Sequence, residues 1–206
     1  MGSRWDTGRT EAFSDGVFAI AITLLVLDIG IPADEFDDLW SAIFHEWPAY
    51  LGYATSFLTI GGIWLAHHGV FRRLSYANDE VMRINLLLLM AVSFLPFPTR
   101  LVAEAIRDEN AERAAAIFYG ACLLAIAVLF SALWGAVARD RTLLRPEVSE
   151  DEIGTILIAS SPSIGFYAAA IALALVAPRA AAFGYLVIAV VAALRVPGDE
   201  VAPEPA

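Results

Sequence analysis

The sequence predicts an all-α polytopic membrane protein with six transmembrane helices and both termini in the cytoplasm. Of its 206 residues, 59% are hydrophobic and 17% are charged, whereas a soluble domain carries about 25% charged residues. The apolar residues fall in runs long enough to cross a hydrocarbon core of about 30 Å. The arginines gather in alternate connections between those runs, as they do in proteins that cross a membrane several times.

The six spans follow from the apolar runs taken in order along the chain. At a rise of about 1.5 Å per residue, the predicted helices cover roughly 10–30, 48–71, 81–102, 114–137, 153–176 and 180–196. Pro48 suits the first turn of the second helix, where no backbone N–H is needed. Pro96 and Pro98 fall inside the third span, so this helix is expected to kink there or to end early. We expect one transmembrane domain over 1–196 and a short, acidic, disordered tail over 197–206.

The distribution of arginine sets the expected orientation. One group of connections carries Arg4, Arg9, Arg72, Arg73, Arg139, Arg141, Arg145 and Arg195. The other group carries Arg100, Arg107, Arg113 and Arg179, together with the acidic segment 34–38. The richer group is expected to face the cytoplasm, and an even number of spans then places both termini there. No small-residue cleavage site follows the first apolar run, so the first helix is expected to be retained.

The composition also argues against several classes of function. There is no basic arm, so nucleic acid is not expected as a partner. Cys122 is the single cysteine, which leaves no intrachain disulfide and no cysteine-based metal site. His67 and His68 are adjacent on a predicted helix and diverge by about 100°, which does not suit one metal ion. A structural hydrogen bond is the favoured interpretation of these histidines, and proton sensing stays open.

The first span carries polar residues where it enters the membrane. At about 100° per residue, Phe13, Ile20 and Leu27 fall on one stripe, flanked by Thr23. Asp15 lies on a different face. A carboxylate at mid-membrane costs about 2.5–3.5 kcal/mol on insertion scales, and less near the interface. The Asp15 side chain is therefore expected to have partners within the protein.

Partners for Asp15 are available on the second and third spans. Trp64 and His68 are four residues apart and share a helix face. The third span adds the polar side chains of Arg83, Asn85 and Ser93. A packed hydrogen-bond network is the simplest interpretation, and a signal-anchor helix with polar interfacial residues is the alternative.

Two other polar segments have a structural and a functional interpretation. The acidic segment 34–38 is favoured as a solvated surface, and it could instead concentrate cations by its negative potential. The segment 159–167, ASSPSIGFY, is favoured as a kink whose hydroxyls satisfy freed carbonyls. A broken-helix substrate site is the alternative there. No nucleophile–base pair or phosphate-binding loop is present, so neither an enzyme nor a cofactor is expected.

A local motif at the start of the first span resembles a known family. The pattern Arg9-x-x-x-Phe13-Ser14-Asp15 runs straight into the apolar segment and resembles the signature of the transmembrane-protein-175 family, the bacterial relatives of the lysosomal potassium channel. The segments GVFAIAITLLVLDI and GIWLAHHGVFRRL look like that family's first and second helices. The last three predicted helices carry no such motif.

The resemblance implies a potassium-permeable cation channel in a bacterial inner membrane. It implies a homotetramer in which the first helix of each subunit lines a central pore, with Ile20, Thr23 and Leu27 facing the permeant K⁺. The apolar rings would form a constriction that closes by dewetting, and no TVGYG-type filter is present. The motif residues would instead hold the first helix against its neighbours; they and their expected partners are Arg9, Phe13, Ser14, Asp15, Trp64, His67, His68 and Asn85.

Two other functions remain open on sequence alone. A small secondary transporter coupled to a proton or sodium gradient should carry charges near mid-membrane on several helices, whereas the ionisable groups here cluster at span ends. A non-conducting membrane scaffold would not need the motif beside a clean apolar stripe. The channel is therefore the favoured hypothesis.

Overall fold

The computed structural model describes residues 4–31, 33–106, 108, 111–149, 154 and 162–194. Their regular structure is helical, which confirms the predicted all-α class. The α-helices are α1 Thr7–Leu24, α2 Leu39–His45, α3 Trp47–Arg72, α4 Asp79–Phe94, α5 Pro96–Ala105, α6 Glu112–Arg139, α7 Pro162–Ala174 and α8 Pro178–Leu194. Short 3₁₀ helices cover Leu25–Asp28, Ala33–Asp38 and Arg141–Leu143.

Four helical segments of the described chain are long and apolar enough to cross a membrane. They are Thr7–Asp28, Trp47–Arg72, Asp79–Ala105 and Glu112–Arg139. The helices α7 and α8 are apolar but shorter, at 13 and 17 residues. The predicted tail over 197–206 lies outside the described residues, as do Arg107, Arg195 and the two serines that precede Pro162.

Proline positions explain two helix boundaries. Pro48 lies in the first turn of α3, as predicted. The expected interruption of the third span is also confirmed, because α4 ends at Phe94 and α5 begins at Pro96. The two helices still form one apolar segment, and Leu95 at the junction stays fully buried. The third span is therefore interrupted at Leu95 and continues beyond it.

The predicted α-helix over 10–30 is wrong in its last turn. The α-helical part ends at Leu24, and Leu25–Asp28 tightens into a 3₁₀ helix. The Ile29 N–H then donates to Val26 O at 3.2 Å, and Ile29 is extended. A 3₁₀ turn is a common way to close a helix end. Pro32 disfavours helical geometry only in the residue before it, Ile31, so it does not by itself explain the change at Leu25.

The helix α1 lies at the edge of the bundle. It packs mainly against α3 and α4, whereas α6 contacts α4, α5, α7 and α8. Buried apolar side chains join these helices into one core, including Phe18, Ile60, Leu88, Val92, Leu123 and Tyr185. Since α1 has neighbours on one side only, its opposite face is left uncovered in the single chain.

Hydrogen bonds join the residues before α1 to the α3–α4 loop, and join that loop to the segment after α6. The backbone groups of Trp5 and Ala77 exchange hydrogen bonds at 2.8 and 3.1 Å, and the Trp5 indole donates to Asp79 Oδ1 at 2.8 Å. Leu74 pairs in turn with Leu144, beyond the end of α6. The first residues of the described chain, the α3–α4 loop and the segment after α6 are thus hydrogen-bonded to one another.

Candidate functional site

The helix α1 has two faces of opposite character. Its buried face carries Thr10, Ser14, Phe18, Ala21 and, in the 3₁₀ turn, Leu25, all packed towards the bundle. The other face carries Phe13, Ile20, Thr23 and Leu27, all of which are exposed. The spacing of three or four residues on each face follows from the helical repeat. The motif helix therefore turns its apolar stripe away from the rest of the chain.

A chain of buried hydrogen bonds fixes the rotation of α1 about its axis. The His67 Nε2–H donates to Asn85 Oδ1 at 2.7 Å, and Asn85 Nδ2 donates to Ser14 Oγ at 3.2 Å. The Ser14 hydroxyl in turn donates to Thr10 O at 2.9 Å. His67, Asn85 and Ser14 are all fully buried. The hydrogen bonds thus run from α3 through α4 to α1, and each residue donates to the next one.

Aromatic packing holds the His67 ring in this chain. The ring stacks on Phe71 with centroids 4.5 Å apart and meets Phe18 edge-on at 5.3 Å. Because Asn85 Oδ1 can only accept, Nε2 must carry the hydrogen. The other nitrogen, Nδ1, is buried and has no partner in the described part of the chain. The ring therefore fits the site as a neutral imidazole, in which Nδ1 is an acceptor that no described donor reaches.

A second pair of contacts joins α1 to α3 nearer the surface. The Trp64 indole N–H donates to Asp15 Oδ1 at 2.8 Å, and the Trp64 ring stacks on His68 at 6.3 Å. His68 Nδ1 lies 2.5 Å from Glu11 Oε1, an ion-pair distance that lacks hydrogen-bond geometry. Sequence analysis missed Glu11, although its position one turn before Asp15 could have pointed to it.

Arg9 and Phe13 are not brought into these contacts. Both side chains are exposed. The Arg9 backbone N–H donates to Asp6 Oδ1 at 2.8 Å, whereas the Arg9 guanidinium has no hydrogen-bond or ion-pair partner among the described residues. The other polar groups considered on the third span also lie outside the network, because Arg83 is exposed and Ser93 bonds back to Met90 O at 3.0 Å. The motif therefore divides into two packed residues, Ser14 and Asp15, and two exposed ones.

The exposed stripe has a different geometry from a regular helix at its far end. The Thr23 hydroxyl donates to Ile20 O at 2.9 Å, which leaves the oxygen's lone pairs free to face outward. A continuous α-helix would place Leu27 about 20° from Ile20 on one side. The 3₁₀ turn advances by about 120° per residue and places Leu27 about 40° to the other side. Leu27 remains 75% exposed.

A separate hydroxyl cluster lies inside the bundle, and sequence analysis did not find it. The hydroxyl oxygens of Ser56 on α3 and Thr99 on α5 are 2.6 Å apart, and Tyr119 on α6 lies 2.9 Å from Ser56. All three are buried. Nothing in the spacing of single hydroxyls within apolar runs indicates which of them meet, because the helix pairing sets that.

The remaining predicted features lie at the surface. Asp37 and Asp38 are exposed in the 3₁₀ helix Ala33–Asp38, and Asp38 caps α2 by accepting from Ser41 N at 3.3 Å. The next residues present the exposed aromatic side chains of Trp40 and Phe44. Within the described ranges, no group of three or more His, Cys, Asp or Glu side chains could hold a metal ion.

Comparisons with known proteins bear on this arrangement. The sequence model of one family, described as "Endosomal/lysosomal potassium channel TMEM175", matches residues 9–96. A potassium channel of Streptomyces collinus is 46% identical over 69% of this chain and 70% of its own length. A potassium channel of Chamaesiphon minutus is 40% identical over 92% of this chain and 95% of its own.

A solved structure and a vertebrate protein extend the comparison. The crystal structure of a lysosomal potassium-selective channel TMEM175 homolog from Chamaesiphon minutus superposes with a TM-score of 0.84 and 40% identity, covering 93% of this chain and 98% of the other. The endosomal/lysosomal proton channel TMEM175 of Danio rerio is 35% identical over 68% of this chain and 29% of its own length.

Proposed function

The chain belongs to the TMEM175 family of channels, and we propose that it conducts K⁺ passively through a central pore lined by α1 from four identical subunits. It is a potassium-permeable channel and a multi-pass membrane protein, and it is not an enzyme. The four-subunit assembly, the pore lining, the six spans, the cytoplasmic termini and the bacterial inner membrane belong to the proposal. We propose no cofactor beyond the permeant ion.

One observation carries the pore assignment. The buried chain from His67 through Asn85 to Ser14 sets the rotation of α1, and that rotation turns Ile20, Thr23 and Leu27 away from the subunit. Four copies around an axis would bury these stripes by facing them towards one another, and each residue would then become a ring of four.

The chemistry of the stripe suits a narrow apolar constriction. Rings of Ile20 and Leu27 would repel water and raise the barrier to a hydrated ion. Four Thr23 oxygens between them would offer weak contacts to a cation that has lost part of its water. Their hydroxyl hydrogens are already engaged with Ile20 O, so the lone pairs are the part that remains available.

Two of the four motif residues would then make contacts within a subunit, and the other two would make contacts between subunits. Ser14 and Asp15 brace α1 against α3 and α4 within a subunit, together with Trp64, His67, His68 and Asn85. Arg9 and Phe13 lie on the side that neighbouring subunits would cover. The polar groups at the start of α1 thus support the pore helix and do not contact the ion.

Flux measurements in liposomes test the pore assignment. We expect passive K⁺ flux exceeding Na⁺ flux, raised by Ile20→Asn because a polar ring lowers the dewetting barrier, and altered by Thr23→Ala. Val187→Asn on α8 is the matched control, because Val187 is also β-branched and is 61% exposed against 62% for Ile20. An equal response to both asparagine variants would contradict a pore lined by α1. Flux that required a proton or sodium gradient would indicate a transporter.

The oligomeric state needs its own measurement. Native mass spectrometry of the purified protein should give four times the chain mass of 22.2 kDa. A monomer or dimer that still conducts K⁺ would rule out the four-fold pore while leaving the channel activity intact.

A further inference from the structure

We propose that an exposed face of α4 docks on the α3 surface of a second copy of this chain, with Met90 of one copy opposite Gly61 of the next. This contact rests on the four-subunit pore proposed above, and it identifies the helices that meet between neighbouring subunits. Each subunit would use two different surfaces, which is the kind of contact that closes a ring when it is repeated around an axis.

The first surface, called the α4 face, consists of Arg83, Leu86, Met90 and Phe94. Asn85 points to α1 and α3, where it is hydrogen-bonded. Counted from Asn85 at about 100° per residue, Leu86, Met90 and Phe94 lie at about 100°, 140° and 180°. All three are exposed, and Met90 reaches 64%. Arg83 lies at about 160° and carries an exposed guanidinium without a hydrogen-bond or ion-pair partner among the described residues.

The second surface, called the α3 face, consists of Phe57, Gly61, Trp64 and His68. Trp64 and His68 contact α1, and Phe57 and Gly61 follow on the same side at helical spacing. The Phe57 and Trp64 side chains are exposed. A Cβ at Gly61 would meet no atom of the chain within 4 Å. The surface between the two rings is therefore open to a side chain from outside.

Helix direction places these two faces on either side of α1. Contacts with α1 show that α4 runs parallel to it and that α3 runs antiparallel. Viewed from the start of α1, residues therefore advance clockwise around α4 and anticlockwise around α3. Asn85 and His67 face each other. A rotation of about 140° from Asn85 and one of about 120° from His67 thus turn Met90 and Gly61 to opposite sides of α1. Rotation about an axis in front of α1 brings one face to the other.

The two faces also match in depth along the bundle. His67 and Asn85 are hydrogen-bonded at 2.7 Å, so they lie at one level. Met90 lies about 7.5 Å from that level, and Gly61 lies about 9 Å from it in the same direction. An axis parallel to the helices leaves these depths unchanged. Met90 of one copy therefore meets the open position of the next, and a residue without a side chain lets two membrane helices approach closely.

The charges of the two surfaces are complementary. Arg83 lies about 3 Å from the level of Asn85, on the side away from Met90. Next to the α3 face, Glu11 and Asp15 of α1 carry carboxylates within about 5 Å of the depth of Arg83. Docking of α4 on α3 brings opposite charges together, whereas two α4 faces would oppose two arginines. Charge therefore favours the contact between unlike surfaces.

Disulfide trapping in native membranes tests which faces meet. In a Cys122→Ser background, Met90→Cys together with Gly61→Cys should yield covalent dimers, trimers and tetramers on oxidation, and a reductant should return them to the monomer. A disulfide requires Cβ atoms about 3.5–4.5 Å apart, so it reports direct contact. The chain leaves room for a side chain at position 61, and cysteine is smaller than the methionine that it replaces at position 90.

Met90→Cys with Ala54→Cys is the matched control. Ala54 is small and lies on nearly the same side of α3, but it is seven residues, or about 10.5 Å, farther along the helix. This pair and each single cysteine variant should stay monomeric on oxidation.

The outcomes separate this contact from the pore assembly. Cross-linking by Met90→Cys alone would show that two α4 faces meet, which would overturn the inference. A Met90–Gly61 pair that does not cross-link, in protein with the native mass of a tetramer, would show that the α4 face meets lipid; the inference would then be wrong and the proposed pore would stand. A native mass below that of a tetramer, again without cross-linking, would overturn both.

Discussion

The buried chain from His67 to Ser14 leads to a specific prediction for Asn85→Leu. Leucine branches at the same carbon as asparagine and is the bulkier side chain, but it neither accepts from His67 Nε2 nor donates to Ser14 Oγ. A buried donor left without an acceptor costs about 1–3 kcal/mol. The lost bond to Ser14 adds about 0.6 kcal/mol, the average for side-chain hydrogen bonds between transmembrane helices.

The expected cost of Asn85→Leu is therefore about 1.6–3.6 kcal/mol. For a chain of this length, each kcal/mol lowers the Tm by about 2–4 °C, so we expect a fall of about 3–14 °C. Tryptophan fluorescence during heating of the detergent-solubilised protein would measure it. Trp64 contacts α1, so its emission reports on the same interface.

A double-mutant cycle with His67→Leu makes the prediction refutable. Replacing both partners by apolar side chains leaves no orphaned donor, so the double variant should be about as stable as His67→Leu alone. Two single costs that add in the double variant within about 0.5 kcal/mol would show that the residues do not interact. An unchanged Tm for Asn85→Leu would refute the hydrogen-bond chain itself.

Three further predictions follow from contacts at the ends of the helices. Asp15→Ala removes the acceptor of the Trp64 indole, whereas Asp15→Asn keeps an oxygen there, so the alanine variant should unfold about 1–4 °C below the asparagine variant; equal Tm values would argue against this bond. Glu80→Gln removes an ion pair to Arg139 whose side chains are 55% and 67% exposed, so the free energy of unfolding should change by less than about 1 kcal/mol, and a larger loss would show that the pair is not screened by solvent. The hydrogen bond with Thr142, followed by Arg4, lowers the pKa of the Tyr76 phenol in the α3–α4 loop. The stability that this group contributes should be complete above its unfolded pKa of about 10 and lost as the pH falls through the lowered value. The difference between the ultraviolet titration curves of the parent and of Tyr76→Phe should isolate the ionisation of the Tyr76 phenol. Thr142→Val should raise the pKa of that phenol.

Helical periodicity predicted the features that depend on α1 alone. It placed Ile20 and Thr23 on one stripe and Asp15 on another face, and the structure has that separation. The chemistry of proline also located the helix boundary at Pro96. Both inferences needed only the local rules of one helix, so no information on packing was required.

Features that depend on how helices pair could not be obtained in this way. Periodicity alone offered Arg83, Asn85 and Ser93 on the third span, and only the resemblance to a family singled out Asn85. The contact itself, Asn85 Nδ2 against Ser14 Oγ, depends on how α4 packs on α1. The 3₁₀ turn after Leu24 requires knowing where the chain must leave α1. The meeting of Ser56, Thr99 and Tyr119 joins three helices, and no spacing along one helix encodes it.

The side-chain hydrogen bonds that join α1 to its neighbours all lie near the start of the helix. Directional hydrogen bonds hold its first turns, through Ser14 and Asp15, whereas beyond them the buried face makes apolar contacts that slide more easily. Ile20 lies about 9 Å along the axis from Ser14, and Leu27 lies about 20 Å away. Leu27 therefore lies farther from these directional contacts than Ile20 does. In the proposed pore, the ring of Ile20 would be the more firmly positioned of the two.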